Sequence, residues 1–321
     1  MQHIALVTAK AARSLDEDLA PLAAALQAAS AQVSIVEWDD AKVDWSHFGT
    51  ALLRSTWDYT ARLPEFLTWA LRVSAETRLL NPVHVVRWNT DKHYLAELDR
   101  AGVATVPSRF VEPGEDALAA LQSCLADPAF GPPSGSGPAA RHPLPNADRA
   151  GHGGRSDFSD FVVKPAIGAG SRDAQRHTRS DRLSALAHIK RLLDAGRSAM
   201  LQPYLDRVDE HGETALIYFN GVFSHAIRKG PLLRPGEGPT RALFAAEQIM
   251  PRVPSTEERA VADHALAAPG FTRPLLYARV DLVHDAAGMP CVLELELTEP
   301  SLFFAHAPGS AERCADAILA H

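Results

Sequence analysis

The sequence predicts a mixed α/β and α+β protein built in successive lobes, and three observations predict it. The first eighty residues alternate short apolar strands with helical segments. The C-terminal third instead holds two long strand pairs, each closed by a tight turn. Between them runs a stretch of Pro, Gly, Ser and Ala with little to bury.

Taken in order, HIALVTA (3–9) reads as a buried strand, and 16–29 as a helix with Ser14 as its N-cap and Glu17 in the first turn. VSIVEW (33–38) and TALLRS (50–55) are two more strands, and PEFLTWALRVSAE a second helix. This alternation gives an open, Rossmann-like sheet of parallel strands. The glycine fingerprint of dinucleotide binding is missing, since TAKAARS follows the first strand, which argues against NAD. Residues 89–102 read as a helix ending at Gly102, and 117–125 as another. Residues 128–160 read as a mobile surface insertion. FVVKPAI (161–167) is a strand entering a glycine turn, 183–193 a helix, and MLQPYL (200–205) a strand whose proline marks an edge or a hinge. ETALIYFNGVFSHAIRKG is a hairpin turning at Asn220-Gly221, and 273–297 a second one turning between Asp285 and Pro290. The expected domains are 1–85, 86–200 with its insertion, and 201–321.

With 321 residues, 46% of them hydrophobic, the chain has enough apolar surface for two or three packed lobes. A net charge of -7 without a basic block argues against nucleic acid. Three scattered cysteines offer neither a zinc spacing nor a disulfide framework, which points to the cytoplasm. MQHIALVTAK is a strand and not a signal peptide, and no apolar run is long enough for a membrane span.

The chemistry is concentrated in VLELELTEPS (292–301). Leu293, Leu295 and Leu297 share one strand face, Glu294 and Glu296 the other. Arg279 and Asp281 stand in the same relation on the preceding strand, and antiparallel pairing brings Asp281 toward the glutamates. Carboxylates that close repel one another, and a divalent cation with oxygen ligands, Mg²⁺, relieves the conflict. An ordinary solvated sheet face balanced by Arg279 is the plainer alternative. Upstream, Lys164 precedes Gly168-Ala169-Gly170-Ser171, whose small residues let the backbone turn tightly and present N–H groups to an anion. The lysine precedes the glycines, so this is not a Walker motif, and alone such a loop is only a turn.

Six segments in order, LLRSTWDY (52–59), NPVHVVRWNTDK (81–92), FVVKPAIGAGS (161–171), MLQPYL (200–205), ARVDLV (278–283) and VLELELTEPSLFF (292–304), resemble the ATP-grasp superfamily of carboxylate–amine ligases. Within it the chain resembles the O-ureido-D-serine cyclo-ligases of D-cycloserine biosynthesis. The resemblance implies an ATP-grasp fold with a Rossmann-like pre-ATP-grasp domain and a nucleotide cleft between two lobes. It implies ATP and Mg²⁺, with Mn²⁺ as a substitute, and a small amino-acid-like carboxylate substrate. No nucleic acid or membrane partner is expected, and a homodimer is the assembly suggested by analogy. Lys92 and Lys164 match the nucleotide-binding lysines, and Gly168, Gly170 and Ser171 the phosphate lid. Gln202, Pro203 and Tyr204 match the adenine-reading segment, and Leu205 adds apolar surface. Glu210 or Glu213 matches the ribose ligand, with the spacing choosing neither. Asp281, Glu294 and Glu296 match the metal positions, although the family more often ends in E-x-N. Arg279 matches the arginine that stabilises the transferred phosphoryl group.

For the acceptor, Arg54 lies past the third strand, where open sheets bind ligands, and is placed to pair with a substrate carboxylate. Asp58 is a candidate for an ammonium group, and Arg228 and Lys229 for substrate or phosphate; charged rim residues are the alternative. His225 reads as structural, and Trp57, Trp88 and Phe303 as packing or cleft walls. The implied reaction makes an acyl phosphate from carboxylate and ATP and closes a ring by attack of an internal nitrogen. An intermolecular amino-acid or peptide ligase is the second reading, and a non-enzymatic ATP-binding protein the third.

Overall fold

The computed structural model describes residues 2–130, 160–234, 236–239 and 248–321. The insertion expected at 128–160 therefore lies outside the described residues except at its edges.

Strands β1 (His3–Thr8), β2 (Gln32–Glu37), β3 (Thr50–Leu53) and β4 (Arg78–Leu80) form a parallel sheet in the order β2-β1-β3-β4. Ile4, Leu6, Ala5 and Val7 are all fully buried because helices cover both faces, as a parallel sheet requires. The first helix spans Leu19–Ala28, shorter than the expected 16–29 and not capped by Ser14. Its preceding acids are engaged elsewhere: Asp18 makes no capping bond and instead reaches the far end of the chain.

A second, antiparallel sheet contains β5 (Arg109–Val111), β6 (Phe161–Pro165), β7 (Gln175–His177) and β8 (Ala199–Pro203), ordered β5-β8-β6-β7. β8 is thus an interior strand, and the edge position expected from its proline is not found. Pro203 ends the strand, where a missing N–H costs no central ladder bond. The boundary expected between 200 and 201 falls inside this strand.

The third sheet joins β9 (Glu213–Phe219), β10 (Val222–Lys229), β11 (Ile249–Arg252), β12 (Tyr277–His284) and β13 (Pro290–Glu296) in the order β11-β10-β9-β12-β13. The β9–β10 turn places Asn220 at φ 50° and Gly221 at φ 75°, the left-handed pair that a two-residue hairpin needs. The C-terminal helix, Ser310–Ala320, packs its Cys314 and Ile318 into one core with Leu22 and Leu26 of the first helix and Tyr277 of β12. This shared core fixes the first sheet against the third.

The helix expected over 89–102 spans only Tyr94–Arg100, and a separate short helix, Val83–Asn89, precedes it across a break at 90–93. At the break the Lys92 N–H donates to the Ala166 carbonyl at 3.0 Å, which ties the break to the end of β6. Among the described residues no helix is long and apolar enough to cross a membrane.

Candidate active site

The three sheets enclose a cleft of about 560 Å³. Its floor is the β12–β13 pair, where Asp281 faces Glu294 and Arg279 faces Glu296 in register. Each of these positions alternates with a buried apolar residue, Val280, Leu282 and Leu295 among them, so packing the leucines forces the charges into the cleft.

Every acid on the floor meets a cation. Arg279 grips Asp281 with two donors, Nε at 2.9 Å and Nη2 at 2.8 Å, and also reaches Glu296. Lys229 on β10 donates to Asp281 at 2.9 Å and pairs with Glu213 on β9. Lys92 Nζ stands 3.0 Å from Glu294 and donates to the Gly168 carbonyl at 2.9 Å, linking the floor to the glycine loop. Lys164, on β6 across the cleft, completes the positive wall.

Charge counting explains the titration of this group. Around Lys229 and Arg279 stand three acids, Glu213, Asp281 and Glu296, so the cluster holds one carboxylate more than it can neutralise. Burial opposes ionisation of Asp281, but Arg279 and Lys229 outweigh it and hold the carboxyl far below its usual range. Burial instead pushes Glu213 up to about 7 and Glu296 up to about 8, with Asp281 adding to both. Burial also lowers the Lys164 ammonium, against the pull of Glu294.

The expected convergence of Asp281, Glu294 and Glu296 on one point is not found. Among the described residues no three acids, histidines or cysteines form a ready metal cage. The carboxylates line one wall but turn to cations, because like charges in an enclosed site separate unless a positive charge lies between them. The donor set still fits a hard cation: all the candidate ligands are carboxylate oxygens. Mg²⁺ needs only one or two of these when phosphates and water supply the rest.

The glycine loop, Gly168, Gly170 and Ser171, closes one side of the cleft, with Gly170 at φ 59°. Gln202, Pro203, Tyr204 and Leu205 line the wall at the end of β8. Gln202 is oriented by a 2.9 Å bond from its amide to Ser108, and the Tyr204 ring is covered by the Arg176 guanidinium. Of the two ribose candidates, Glu213 lines the cleft. Glu210 does not; its carbonyl accepts from Arg228 Nη2 at 2.9 Å.

Three residues expected to hold the acceptor lie elsewhere. Arg54 is fully buried beneath the cleft, donating to the Pro300 carbonyl at 3.1 Å and lying 3.6 Å from Asp16 and 3.7 Å from Asp18. The carboxyl end of the parallel sheet is capped by the segment after β13, so this arginine binds protein where an open sheet would bind a ligand. Arg228 is turned outward, its Nε donating to the His211 carbonyl at 2.6 Å. Asp58 accepts from the Trp38 ring N–H at 2.8 Å and pairs with Arg62. Lys229, by contrast, does line the cleft. His225 is buried against the Leu302 carbonyl, in keeping with a structural part.

The residues missed by sequence reasoning lie at the other end of the cleft: Tyr59, Asp18, Glu299 and Ser301, beside the expected walls Trp57 and Phe303. Asp18 accepts from the N–H groups of Leu302 at 2.6 Å, Phe303 at 3.0 Å and Phe304 at 2.8 Å, and so sets the loop after β13. Tyr59 and Glu299 both stand within segments singled out by resemblance, but neither has a periodicity that marks it.

Comparison with known proteins agrees with this geometry. A family model described as the N-terminal domain of D-cycloserine synthetase DcsG matches residues 4–81. The cycloserine biosynthesis protein DcsG of Streptomyces lavendulae is 41% identical over 322 residues, covering 99% of this chain and 98% of that protein. The crystal structure of D-cycloserine synthetase DcsG superposes with a TM-score of 0.84 at 39% identity, covering 98% of each chain. A structure of the ATP-grasp ligase PsnB complexed with a precursor variant, Mg and ADP is 17% identical with a TM-score of 0.59. It covers 100% of this chain and 98% of that one, and at that identity shows the fold alone.

Proposed function

Because this chain belongs to the D-cycloserine synthetase DcsG family of ATP-grasp ligases, we propose that it closes O-ureido-D-serine to D-cycloserine with ATP and Mg²⁺. The single observation that carries the reading is the register of β12 and β13. It sets Arg279, Asp281, Glu294 and Glu296 on one floor beneath Lys92 and Lys164. That is a surface for a polyphosphate: lysines and loop N–H groups on one side, acids for a bridging cation on the other. In relatives of this fold Mg and ADP occur together in solved complexes.

In this reading Lys92 and Lys164 hold phosphate oxygens and the 168–171 loop covers them. Glu213 takes the ribose hydroxyls. One or two carboxylates from among Asp281, Glu294 and Glu296 would hold Mg²⁺, which would screen the negative charge of the phosphates. A carboxylate oxygen of the substrate attacks the terminal phosphorus, the bond to ADP breaks, and an acyl phosphate forms. Arg279, buried and held well above its ordinary range by Asp281 and Glu296 against the cost of burial, remains a cation at the point where charge develops. The oxyamine nitrogen then attacks the activated carbonyl, inorganic phosphate leaves, and the carbamoyl group departs with uptake of water as carbon dioxide and ammonia. Intramolecular attack favours ring closure over hydrolysis. The lobes follow the sheets, dividing near residue 85 and, since β8 belongs with β6, just past Pro203.

Mass analysis of products from O-ureido-D-serine, ATP and Mg²⁺ tests the proposal: cycloserine, ADP and phosphate are expected. ADP with an intermolecular amide from some other acceptor would move the chain to a sibling ligase. Nucleotide binding without ADP from any acceptor would leave a binding protein.

A further inference from the structure

One carboxylate in the cleft differs from all those on its floor. Glu299 is 8% exposed and lines the acceptor end. No salt bridge reaches it among the described residues, whereas Asp281, Glu294, Glu296 and Glu213 each face lysine or arginine. Its side-chain partner is neutral, the hydroxyl of Tyr59. Its backbone is fixed as well, for the Trp57 ring N–H donates to the Glu299 carbonyl at 3.2 Å. Lys92 and Arg279 act on it only from beyond ion-pair distance, and a buried carboxylate without a directly paired cation, held at the wall of a binding cleft, is completed by a cation from the ligand.

Neighbouring geometry says where that cation belongs. Arg279 Nη1 donates to the Ser301 carbonyl at 3.2 Å, two residues beyond Glu299, and its guanidinium lies 5.5 Å from the Phe303 ring. The phosphoryl-stabilising arginine and the unpaired carboxylate therefore flank one short loop. In an α-amino acid the carboxylate and ammonium are separated by a single carbon, so one molecule spans the two. We propose that Glu299, positioned by Tyr59 and Trp57, receives the α-ammonium group of the substrate and turns its carboxylate toward Arg279. This rests on the ligase reading above and adds to it the residue that selects amino acids over plain carboxylic acids. Burial pushes the Glu299 carboxyl up to about 7, so an arriving ammonium both pairs with it and favours its ionised form.

The test compares O-ureido-D-serine with its analogue lacking the α-amino group, reading ADP release from wild type and Glu299→Gln. Wild type is expected to prefer the amino substrate by about 100-fold in kcat/KM, since a charged group left unpaired in a buried site is strongly rejected. In Glu299→Gln that preference is expected to fall to a few-fold, mostly through KM, while the deamino analogue and the affinity for Mg-ATP stay within about threefold. Tyr59→Phe, which keeps the ring, is expected to raise KM for the amino substrate several-fold only. Equal losses on both acceptors, or an undiminished preference in Glu299→Gln, would overturn the assignment and leave the ligase reading standing. If wild type rejects O-ureido-D-serine but forms ADP with another α-amino acid, the substrate reading falls. The same amino and deamino comparison on that acceptor then decides Glu299.

Discussion

The two ends of the cleft solve the problem of buried charge in opposite ways. At the phosphate end, Asp281, Glu294, Glu296 and Glu213 are interleaved with Lys92, Lys229 and Arg279 in a network of paired charges. Toward the other end, Glu299 has no direct ion pair among the described residues: Tyr59 and the indole-bound backbone hold it, and Lys92 and Arg279 act on it only from a distance. Paired charges hold their geometry without a ligand and exchange partners when a metal–nucleotide enters. An unpaired one waits for a ligand of opposite sign. On the proposed reading, the difference teaches that the nucleotide half is built for stability before binding, and the acceptor half for selection.

The largest effect is expected at the phosphate end. Glu294→Gln removes the charge facing Lys92 and should lower ADP release at saturating Mg-ATP by about 10³-fold. An unchanged rate would take Glu294 out of the phosphate machinery and break the comparison. Next comes the support of the acceptor loop. Arg54→Met leaves Asp16 and Asp18 buried without their cation and should cost about 3–5 kcal/mol in urea unfolding, with KM for the acceptor rising. A loss below about 1 kcal/mol would show that the arginine does not hold the loop.

A smaller effect follows from the raised Glu299 carboxyl, whose folded value of about 7 exceeds its usual 4.5. An acid shifted upward favours the folded state while it stays protonated, and that contribution is lost as pH rises from about 4.5 through about 7. Glu299→Gln does not titrate, so it should gain roughly 2 kcal/mol on wild type between pH 5 and pH 8. A pH-independent gap would deny the carboxylate its buried, unpaired state. The smallest effect belongs outside the cleft: Arg228→Ala loses bonds to the His211 and Glu210 carbonyls and should cost about 1 kcal/mol, with kcat and KM within threefold. A large loss in kcat would return Arg228 to the site from which its geometry removes it.

Alternation along a strand is local, and this made the floor of the site legible. Leu295 and Leu297 bury one face, which leaves Glu294 and Glu296 the other, and a tight turn brings Asp281 opposite. Leu293, expected on the buried face, is displaced by a bulge opposite Asp281 and Leu282 and lines the cleft instead. The hairpin at Asn220-Gly221 was equally plain because two left-handed residues specify it. Of the strands with three or four residues, only β3, an apolar run fully buried in a parallel sheet, was anticipated; β4, β5, β7 and β11 are too short to carry a period and were not. Arg54 illustrates the opposite limit. Its place after a parallel strand suggested a ligand, yet the residue that meets it is Pro300, 246 positions away.

By itself the sequence determined the parallel character of the first sheet, the antiparallel character of the last, and the acids that share the cleft face of β12 and β13. These depend on side-chain periodicity and turn chemistry within a few residues, whereas Lys92 was marked only by the resemblance. Tertiary structure alone decided which acids meet which cations, that Arg54 and Asp18 bind the segment after β13, and that Glu299 is left without a direct ion pair. Those outcomes depend on loops brought together across more than 200 residues, where burial sets the cost of each charge and no local pattern records its partner.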